Sequence, residues 1–532
     1  MLSVLGHGVK TSPGPQGIVN KAVTTHFIPV RTKGVADLSE PFEGHRPPWT
    51  ALRLPSAGQA FYVASGDEVT SSDPTTGAAV ATLTSSTRAD VDEAVDRAHR
   101  AFRTARWRND GAVRARVLFR YAEALRANAD RLGELLTREQ GKTIGEARGE
   151  VLGAAEMVEF YAGMARTLYG RSIALGDNAH GVVLREPIGV VGIITPWNWP
   201  LVLLARALAP ALAAGNACVV KPASLTAAIT VEALAPLAAD PDLPDGVLGC
   251  VVGSGGVTGD ALVGHPGVEM IAFTGATGTG IGVMKRAADD LRKVSLELGG
   301  KSPNIVFADA RMDKALEGAL NAVFTTTGQI CTAGSRLLVE ESVRDEFVSR
   351  LAERTRALRL GDPLDPSTGI GPVVSHGQQR EINEYIELGR KEGEIIAAAE
   401  LPGGDLASGA FVAPTLVGGL ARDSRVVQEE IFGPVLTIQS FSSEEEAVEL
   451  AEDTEFGLAA GIWTTDLDRA WRVGRAVSAG SVWINTYHHF YGEAEVGGFK
   501  KSGLGRQQGV EGILEFTETK HLNFDHAPKL WG

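Results

Sequence analysis

Hydrophobic residues recur with helical spacing in the first third of the chain. From Ala89 to Arg108 the apolar positions lie three and four residues apart, and similar patterns run through 112–139 and 143–167. This spacing places apolar side chains on one face of a helix. The pattern therefore predicts a helical region before the first strands.

Short valine- and isoleucine-rich runs then alternate with helical patterns. The runs predict strands at 188–194, 217–220, 249–252 and 269–273. The patterns between and after them predict helices at 201–214, 226–239, 257–264 and 279–290. A second alternation follows from Ser302 to about Asn485, with strands predicted at 303–307, 336–340, 435–440 and 481–485. Such alternation is typical of parallel sheets, so we predict two doubly wound α/β units.

Two segments lie outside this alternation. Ser172–Glu186 has apolar residues on both sides of the turn-like Gly176-Asp177-Asn178, which predicts a β-hairpin. The tail 512–524 mixes apolar and polar residues and predicts an extended arm. Isolated hairpins are only marginally stable in water, so we expect both segments to need a partner sheet.

Composition excludes several classes of protein. A chain of 532 residues is too long for one core and suggests about two to four domains. It is 44% hydrophobic, 22% charged and has no apolar run near the ~20 residues of a membrane span. The net charge of −14 disfavours binding to nucleic acid, although a local basic cleft for a dinucleotide remains compatible. We expect neither a membrane nor a nucleic-acid partner.

The three cysteines, Cys218, Cys250 and Cys331, include no CxxC pair. Neither a disulfide framework nor a thiolate metal site is indicated, so we predict no metal and a reducing, cytoplasmic location.

Residues 1–60 lack hydrophobic periodicity and have no acid before Asp37. We interpret them as a disordered extension or an overlong start; a transit peptide is the alternative, disfavoured by few serines and no clear amphipathic helix.

Two glycine-rich turns follow predicted strands and open helices. They are Gly253-Ser254-Gly255-Gly256-Val257-Thr258-Gly259 and Phe273-Thr274-Gly275-Ala276-Thr277-Gly278-Thr279-Gly280. Glycines in this setting let a phosphate or an adenosine approach the backbone, although each turn alone is equally compatible with a plain connection. Lys221 follows the strand 217–220, at the sheet edge where open α/β folds bind ligands, but a lone lysine there is usually a solvated surface charge.

Cys331 and Glu297 are candidate catalytic groups. Small and polar residues surround Cys331, which suits an accessible nucleophile with backbone amides nearby. Glu297 lies in an apolar run at a predicted strand end, where burial should raise its pKa and suit it to general-base chemistry; pairing with a nearby cation is the alternative. In Thr195-Pro196-Trp197-Asn198-Trp199-Pro200, Asn198 is a possible oxyanion donor, although composition alone is equally compatible with a rigid aromatic turn.

Together these segments resemble the aldehyde dehydrogenase superfamily, from about residue 65 to 525. The resemblance rests on separated motifs in the family's order, namely TPWNWP, KPAS, FTG followed by TG and G, LELGGKSP, GQICTAGSR, EEIFGPV and GGFKKSGLGR.

The resemblance implies a role for each matching residue. Cys331 would be the nucleophile, Glu297 the general base, and Asn198 with the Cys331 amide the oxyanion hole. The implied contacts of an NAD or NADP cofactor are Trp197, Lys221, Ser224, Gly255, Gly259, Gly275, Ala276, Glu430 and Phe432. Ser224 stands where many NAD-linked relatives have an acid that repels a 2′-phosphate, so we predict that NADP is accepted.

The implied fold is a Rossmann-like cofactor domain, an α/β catalytic domain and a small β oligomerisation element. We assign 61–172 and 188–297 to the first, 298–485 to the second, and 173–187 with 486–532 to the third. The resemblance implies a homodimer or a homotetramer.

The implied substrate is a small-molecule aldehyde. The predicted tunnel residues are Trp199, Arg206, Thr325, Ile330, Phe490 and Val496. Arg206 stands where betaine aldehyde and many general enzymes of the family have tryptophan and where succinic semialdehyde dehydrogenases have arginine. Thr325 replaces the second arginine that those semialdehyde enzymes usually carry. Arg206 therefore binds a substrate carboxylate or pairs with an internal acid.

Two other functions compete with hydrolytic oxidation. An acylating member of the superfamily would release the thioester to coenzyme A, but the intact LELGG context around Glu297 disfavours it. A structural or binding protein could use the fold without chemistry, but such a chain would not need Cys331, Glu297 and Asn198 together.

Overall fold

The computed structural model describes residues 52–53, 61–104, 106–176 and 178–525. Apart from the short strand Leu52–Arg53, the predicted N-terminal extension 1–60 therefore lies outside the described residues. Asp177 of the predicted hairpin turn and the end of the predicted oligomerisation segment, 526–532, also lie outside them.

The strands and helices follow one another in an α/β order. The strands are β1 (Leu52–Arg53), β2 (Glu68–Ser72), β3 (Ala79–Thr84), β4 (Arg171–Ala174), β5 (Ala179–Pro187), β6 (Val190–Ile194), β7 (Ala217–Lys221), β8 (Leu248–Cys250), β9 (Met270–Thr274), β10 (Lys293–Glu297), β11 (Pro303–Val306), β12 (Arg336–Glu340), β13 (Glu394–Ala398), β14 (Thr415–Gly418), β15 (Val435–Phe441), β16 (Phe456–Gly457), β17 (Ala459–Trp463), β18 (Ser481–Ile484), β19 (Phe499–Lys500), β20 (Gly503–Leu504) and β21 (Thr517–Asp525). The helices are α1 (Arg88–Thr104), α2 (Gly111–Ala127), α3 (Ala129–Gln140), α4 (Ile144–Met164), α5 (Pro200–Ala214), α6 (Ala227–Ala238), α7 (Asp260–Gly264), α8 (Thr277–Ala288), α9 (Met312–Phe324), α10 (Glu341–Arg356), α11 (His376–Glu392), α12 (Arg425–Gln428), α13 (Glu444–Glu452), α14 (Leu467–Ala476) and α15 (Gly509–Leu514).

The first large sheet has the order β20-β10-β9-β6-β7-β8 among the described strands. All neighbours pair in parallel except β20, which runs antiparallel to β10. The chain proceeds outwards from β6 through β7 to β8 and then returns to form β9 on the other side of β6. The connections after β6 and β9 therefore diverge at the carboxyl edge, where open α/β sheets bind ligands.

The second large sheet has the order β13-β14-β15-β12-β11-β17-β18 among the described strands. Its pairs are parallel except for β13 with β14. Its central strands β11, β12 and β17 are buried except for Glu340 at the end of β12, as the continuous apolar runs predict for a sheet covered on both faces. The predicted α/β fold class, with two parallel sheets, is confirmed.

The predicted hairpin is formed by β4 and β5, and β21 extends it along the whole of β5. The arm thus finds a partner sheet within its own chain. The segment assigned to this element also contains β20, which joins the first large sheet. The exact domain assignment stays a prediction.

Three predicted elements differ in detail from the observed ones. The helix expected over 112–139 is two helices, because the Asn128 side-chain amide donates to the Ala124 carbonyl at the end of α2. The helix expected over 257–264 starts with a π-helical turn, Gly255–Gly259, before α7. The arm expected over 512–524 begins as the short helix α15 and becomes extended only in β21.

None of the described helices is both long and apolar enough to cross a membrane.

Candidate active site

Cys331 lies where two cavities meet. The first cavity, here called the sheet-edge cleft, has a volume of about 460 Å³ and is lined by the segments after β6, β9 and β10 and by residues around α11 and Glu430. The second, here called the aromatic cavity, has a volume of about 310 Å³ and is lined by α4, α5 and the segment around Phe490. Cys331, Asn198 and Leu203 line both cavities. A thiol at this junction is accessible to one ligand from each side.

The turn before Cys331 has an unusual backbone. Thr326 and Thr327 have φ values of 51° and 56°, and Gly328 has a φ of 74°. Threonine is β-branched and rarely adopts this left-handed conformation, so the surroundings must stabilise it. The Thr326 amide donates to Glu146 at 2.6 Å, and the Thr327 hydroxyl donates to the Gly371 carbonyl at 3.0 Å.

Gln329 connects this turn to Asn198. Its buried side-chain amide donates to the Thr326 carbonyl and accepts from the Val374 amide. Its carbonyl accepts a hydrogen bond from the Asn198 Nδ2 atom at 3.0 Å. An amide nitrogen has two protons, so Asn198 retains one donor for the cavity junction.

Glu297 ends β10 and faces the sheet-edge cleft. Burial raises the pKa of its carboxyl to about 7, against the weaker opposing effects of Arg206 and Arg506. Its Oε1 atom is buried without a hydrogen-bond partner, and no ion pair involves Glu297 within the described part of the chain. The pairing with a nearby cation that the sequence left open is therefore not observed in that part, and the carboxyl is suited to accept a proton near neutral pH.

The Cys331 thiol is protonated at neutral pH in this environment. Burial raises its pKa to about 12, Arg206 opposes the shift, and Glu297 adds to it. A thiol with a raised pKa is a poor nucleophile until a base removes its proton. By contrast, Cys218 and Cys250 are fully buried in β7 and β8 and line none of the cavities described here.

The glycines of LELGG permit two close approaches. A β-carbon on Gly300 would lie 2.5 Å from the Cys331 carbonyl oxygen, and one on Gly299 would lie 2.4 Å from Glu430 Oε2. The Gly300 amide donates to Glu430 Oε1 at 3.1 Å. Burial raises the pKa of Glu430 to about 7. These two glycines therefore bring Glu430 and the main chain of Cys331 against the end of β10.

Most of the predicted cofactor residues line the sheet-edge cleft. Gly275 and Ala276 follow β9 and precede α8, whose first turn has no side-chain cap and so leaves free N–H groups. Trp197 and Phe432 meet edge to face in the same cleft, with 5.3 Å between their ring centroids. Phe432 has a φ of 56°.

A further cavity of about 410 Å³ lies at the first glycine-rich turn and is called the glycine-loop cavity. Lys221, Gly255 and Gly259 line it, together with Arg286 and Asp260. Burial lowers the pKa of Lys221 to about 8. Ser224 is not among the lining residues; its hydroxyl donates to the Gly253 carbonyl at 2.8 Å.

The aromatic cavity contains five of the six predicted substrate residues, which are Trp199, Arg206, Thr325, Ile330 and Phe490. Val496 does not line it and instead pairs with Gln507 in a short antiparallel bridge. Sequence reasoning missed His488, which also lines this cavity. His488 has a φ of 58°, and burial lowers its pKa to about 4.

Arg206 is buried at the wall of the aromatic cavity and lacks a carboxylate partner there. Its guanidinium carbon lies 5.0 Å from the centroid of the Phe490 ring. Its Nε atom has no hydrogen-bond partner, and the ion pairs of the described residues do not include it. Burial lowers its pKa, and the nearby Cys331 and Glu297 oppose that shift. The internal acid that the sequence left open as a partner is not observed within the described residues.

The sequence matches the model of the aldehyde dehydrogenase family over residues 62–522. The chain belongs to the aldehyde dehydrogenase family. It is an oxidoreductase that acts on aldehydes. Over 455 residues it is 40% identical to betaine aldehyde dehydrogenase from Bacillus subtilis (strain 168). The matched region covers 84% of this chain and 92% of that relative.

Solved structures of the family have the same fold. Betaine aldehyde dehydrogenase from Staphylococcus aureus in complex with NAD+ matches with a TM-score of 0.84 at 34% identity, covering 87% of this chain and 92% of that one. An NAD-dependent aldehyde dehydrogenase from Sinorhizobium meliloti matches with a TM-score of 0.85 at 39% identity, covering 88% and 94%.

Proposed function

We propose that this family member oxidises aldehydes to carboxylic acids with NAD(P)+ and hydrolyses its own thioester. The observation that carries the proposal is the position of Cys331 at the junction of the sheet-edge cleft and the aromatic cavity. An aldehyde in the aromatic cavity and a dinucleotide in the sheet-edge cleft would both reach the thiol. Asn198 lines both cavities and Glu297 lines the cleft, so the donor and the base stand at the same junction.

The chemistry has two halves. Glu297 accepts the thiol proton, directly or through water, and the Cys331 sulfur adds to the aldehyde carbon to give a thiohemiacetal anion. The free N–H of Asn198 and the Cys331 amide donate to this oxyanion. The carbonyl re-forms as hydride leaves, which yields a thioester on Cys331. Glu297 first loses the thiol proton to solvent and then takes a proton from water as that water attacks the thioester. The acid is released, and Glu297 returns the proton to the departing Cys331 thiolate.

The described residues fit a nicotinamide dinucleotide, which when bound supplies the hydride acceptor. Gly255 and Gly256 have open space where a side chain would be, so a flat group can lie against the backbone in the glycine-loop cavity. The uncapped first turn of α8 offers N–H groups to a pyrophosphate. Glu430 offers carboxylate oxygens to ribose hydroxyls in the sheet-edge cleft.

We propose that NADP is accepted as well as NAD. The glycine-loop cavity has two cationic residues, Lys221 and Arg286, and one acid, Asp260, which lies 3.5 Å from Arg88. Ser224 is uncharged and does not repel an adenosine 2′-phosphate as an acid at this position would. Its hydroxyl donates to the Gly253 carbonyl.

A semialdehyde with an ω-carboxyl group is the second candidate substrate class, favoured by Arg206. A buried guanidinium without a carboxylate partner is costly, and a substrate carboxylate would offset that cost. The same charge disfavours a quaternary ammonium aldehyde, even though the B. subtilis and S. aureus relatives are named betaine aldehyde dehydrogenases.

The β4-β5-β21 sheet supports a proposed homodimer or homotetramer. Leu522 and Phe524 are exposed on β21, and Leu175 is exposed just after β4; a second copy would cover all three. Light scattering on the purified chain distinguishes these states from a monomer. We further propose a cytoplasmic location, since the described cysteines are free thiols.

The decisive experiment follows the absorbance of the reduced dinucleotide with a panel of aldehydes, with and without coenzyme A. Sustained turnover without coenzyme A and release of free acid are expected. Turnover that requires coenzyme A and releases its thioester would establish an acylating enzyme instead.

A further inference from the structure

A fully buried ion pair lies beside the start of α5. Lys142 Nζ donates to Glu150 Oε2 at 2.5 Å, and neither side chain is exposed to solvent. The same ammonium donates to the Asn198 carbonyl at 2.7 Å and lies 3.9 Å from the centroid of the Trp199 ring. The pair therefore contacts the main chain of the residue that is proposed to stabilise the oxyanion.

The second oxygen of Glu150 fastens the helix that follows Asn198. Glu150 Oε1 accepts from the Leu201 amide at 2.8 Å and from the Val202 amide at 3.4 Å. These groups belong to the first turn of α5, whose N-cap residue, Trp199, makes no side-chain capping bond. The carboxylate satisfies these amides in place of a cap and favourably faces the positive end of the helix dipole.

The turn before Cys331, here called the nucleophile loop, contacts α4, the helix that carries Glu150. Glu146 lies one turn before Glu150 on α4, and its Oε1 atom accepts from Thr326, five residues before Cys331. Its Oε2 atom completes the capping box with Thr143 at the start of α4. One short stretch of chain thus contacts both the oxyanion donor and the nucleophile loop.

We propose that Lys142 and Glu150 are positioning residues that set the location of the Asn198 amide relative to Cys331. Neither is assigned a chemical step; they act through Asn198, and the inference takes the proposed oxyanion role of Asn198 as its basis. A buried ion pair is seldom more stable than apolar residues of the same volume. Geometry explains the pair better than stability does, because an oxyanion donor must be held closely in place.

Lys142→Met tests the proposal, because methionine has similar length but no donor. In single turnovers at saturating dinucleotide, we expect hydride transfer to slow by roughly tenfold to a hundredfold, since a shift of about 1 Å in a reacting group has effects of that size. Dinucleotide affinity should stay unchanged. Alkylation of Cys331 by iodoacetamide should also keep its rate, because that displacement forms no oxyanion.

A double-mutant cycle with Asn198→Ala separates the inference from the proposed function. If Lys142 acts through Asn198, then Lys142→Met will slow the Asn198→Ala enzyme by less than about twofold, because coupled residues are not additive. Equal slowing in both backgrounds would overturn the inference alone. A wild-type rate for Asn198→Ala would overturn the oxyanion assignment, and the inference with it.

Two further variants guard against a general loss of folding. Lys142→Met/Glu150→Gln removes both charges, leaves no unpaired buried ion, and should show the same slowing if Lys142→Met alone does not fold. Glu139→Gln is the matched control, since buried Glu139 likewise accepts from two amides of a helix start, Ala228 and Ile229 in α6. Its hydride-transfer rate should match that of the wild type; slowing as large as that of Lys142→Met would overturn the proposal.

Discussion

Arg206 lies over the ring of Phe490 inside the aromatic cavity, with 5.0 Å between the guanidinium carbon and the ring centroid. The contact holds the cation against an apolar wall and leaves its Nε atom without an acceptor. Arg206→Leu should therefore lower kcat/KM for an ω-carboxyl aldehyde far more than for an uncharged aldehyde of equal length. The loss in kcat/KM should be about 1.5–3 kcal/mol, as for hydrogen bonds to charged groups.

Phe490→Leu supplies the control for this comparison, because it removes the ring and keeps the charge. Its effect on the two aldehydes should be similar. An equal loss for both aldehydes with Arg206→Leu would give Arg206 a structural role instead.

Cys331→Ala should abolish turnover and leave dinucleotide binding intact, because the thiol stands at the end of the sheet-edge cleft and not within the glycine-loop cavity. Binding can be followed by calorimetry and turnover by reduced dinucleotide. Cys218→Ala is the comparison, since its thiol is buried in β7 and should leave turnover per folded molecule unchanged. Residual turnover of Cys331→Ala above background would refute the nucleophile assignment.

Glu297→Gln should slow the burst of reduced dinucleotide, because Glu297 no longer takes the thiol proton, but some acylation should persist because solvent hydroxide can take that proton. Steady turnover should be slower still, by about 10²- to 10⁴-fold, the usual contribution of a general base. In the wild type, the rate of thioester hydrolysis should rise as the pH passes through about 7 and then level off, because burial raises the pKa of this carboxyl to about 7. The variant should lose this rise. Rapid-quench measurements of the acyl-enzyme across this pH range provide the test, and an unchanged steady rate would contradict the base assignment.

The same pKa has a consequence for stability. A carboxyl whose folded-state pKa lies above its ordinary value stabilises the fold below that ordinary value, and the contribution is lost as the pH rises through about 7. Glu297→Gln should therefore gain stability relative to the wild type between about pH 5 and pH 8. Thermal unfolding of both proteins at these two pH values measures the difference.

Ser224→Glu should shift the cofactor preference towards NAD. The new carboxylate would repel a 2′-phosphate near Lys221, so kcat/KM for NADP should fall by about tenfold or more, about 1.4 kcal/mol. The NAD value should change little. Arg286→Ala removes the other cation of the glycine-loop cavity and should lower kcat/KM for NADP but not for NAD. A wild-type kcat/KM for NAD far above that for NADP would refute the prediction.

The sequence was most informative where local chemistry and periodicity agree. The strands β6, β7, β9 and β12 lie close to their predicted ranges because buried parallel strands are continuous apolar runs. Cys331, Asn198 and Glu297, to which the resemblance gives the catalytic roles, line the same cleft. Strand β17 and the sheet order depend on pairing between distant segments, which periodicity does not encode.

Side-chain partners were the least predictable feature. The sequence singles out neither Lys142 nor Glu150. The Thr143–Glu146 capping box is a local signal for the start of α4, but it does not indicate which groups these two charges contact. The resemblance implied that Val496 is a tunnel residue, yet it does not line the aromatic cavity and its main chain pairs with Gln507. Such contacts are set by the packing of α4 against α5 and by the register of short bridges, which no single segment specifies.

The junction at Cys331 also allows the aldehyde side and the cofactor side of the site to change independently during evolution. Because the dinucleotide and the aldehyde would approach the sulfur through different mouths, changes at one mouth leave the other intact. Replacing Arg206 or His488 would change which aldehydes are accepted, while replacing Ser224 or Arg286 would change which coenzyme is preferred. A chain built in this way can diversify its substrates over evolutionary time without rebuilding the chemistry between them.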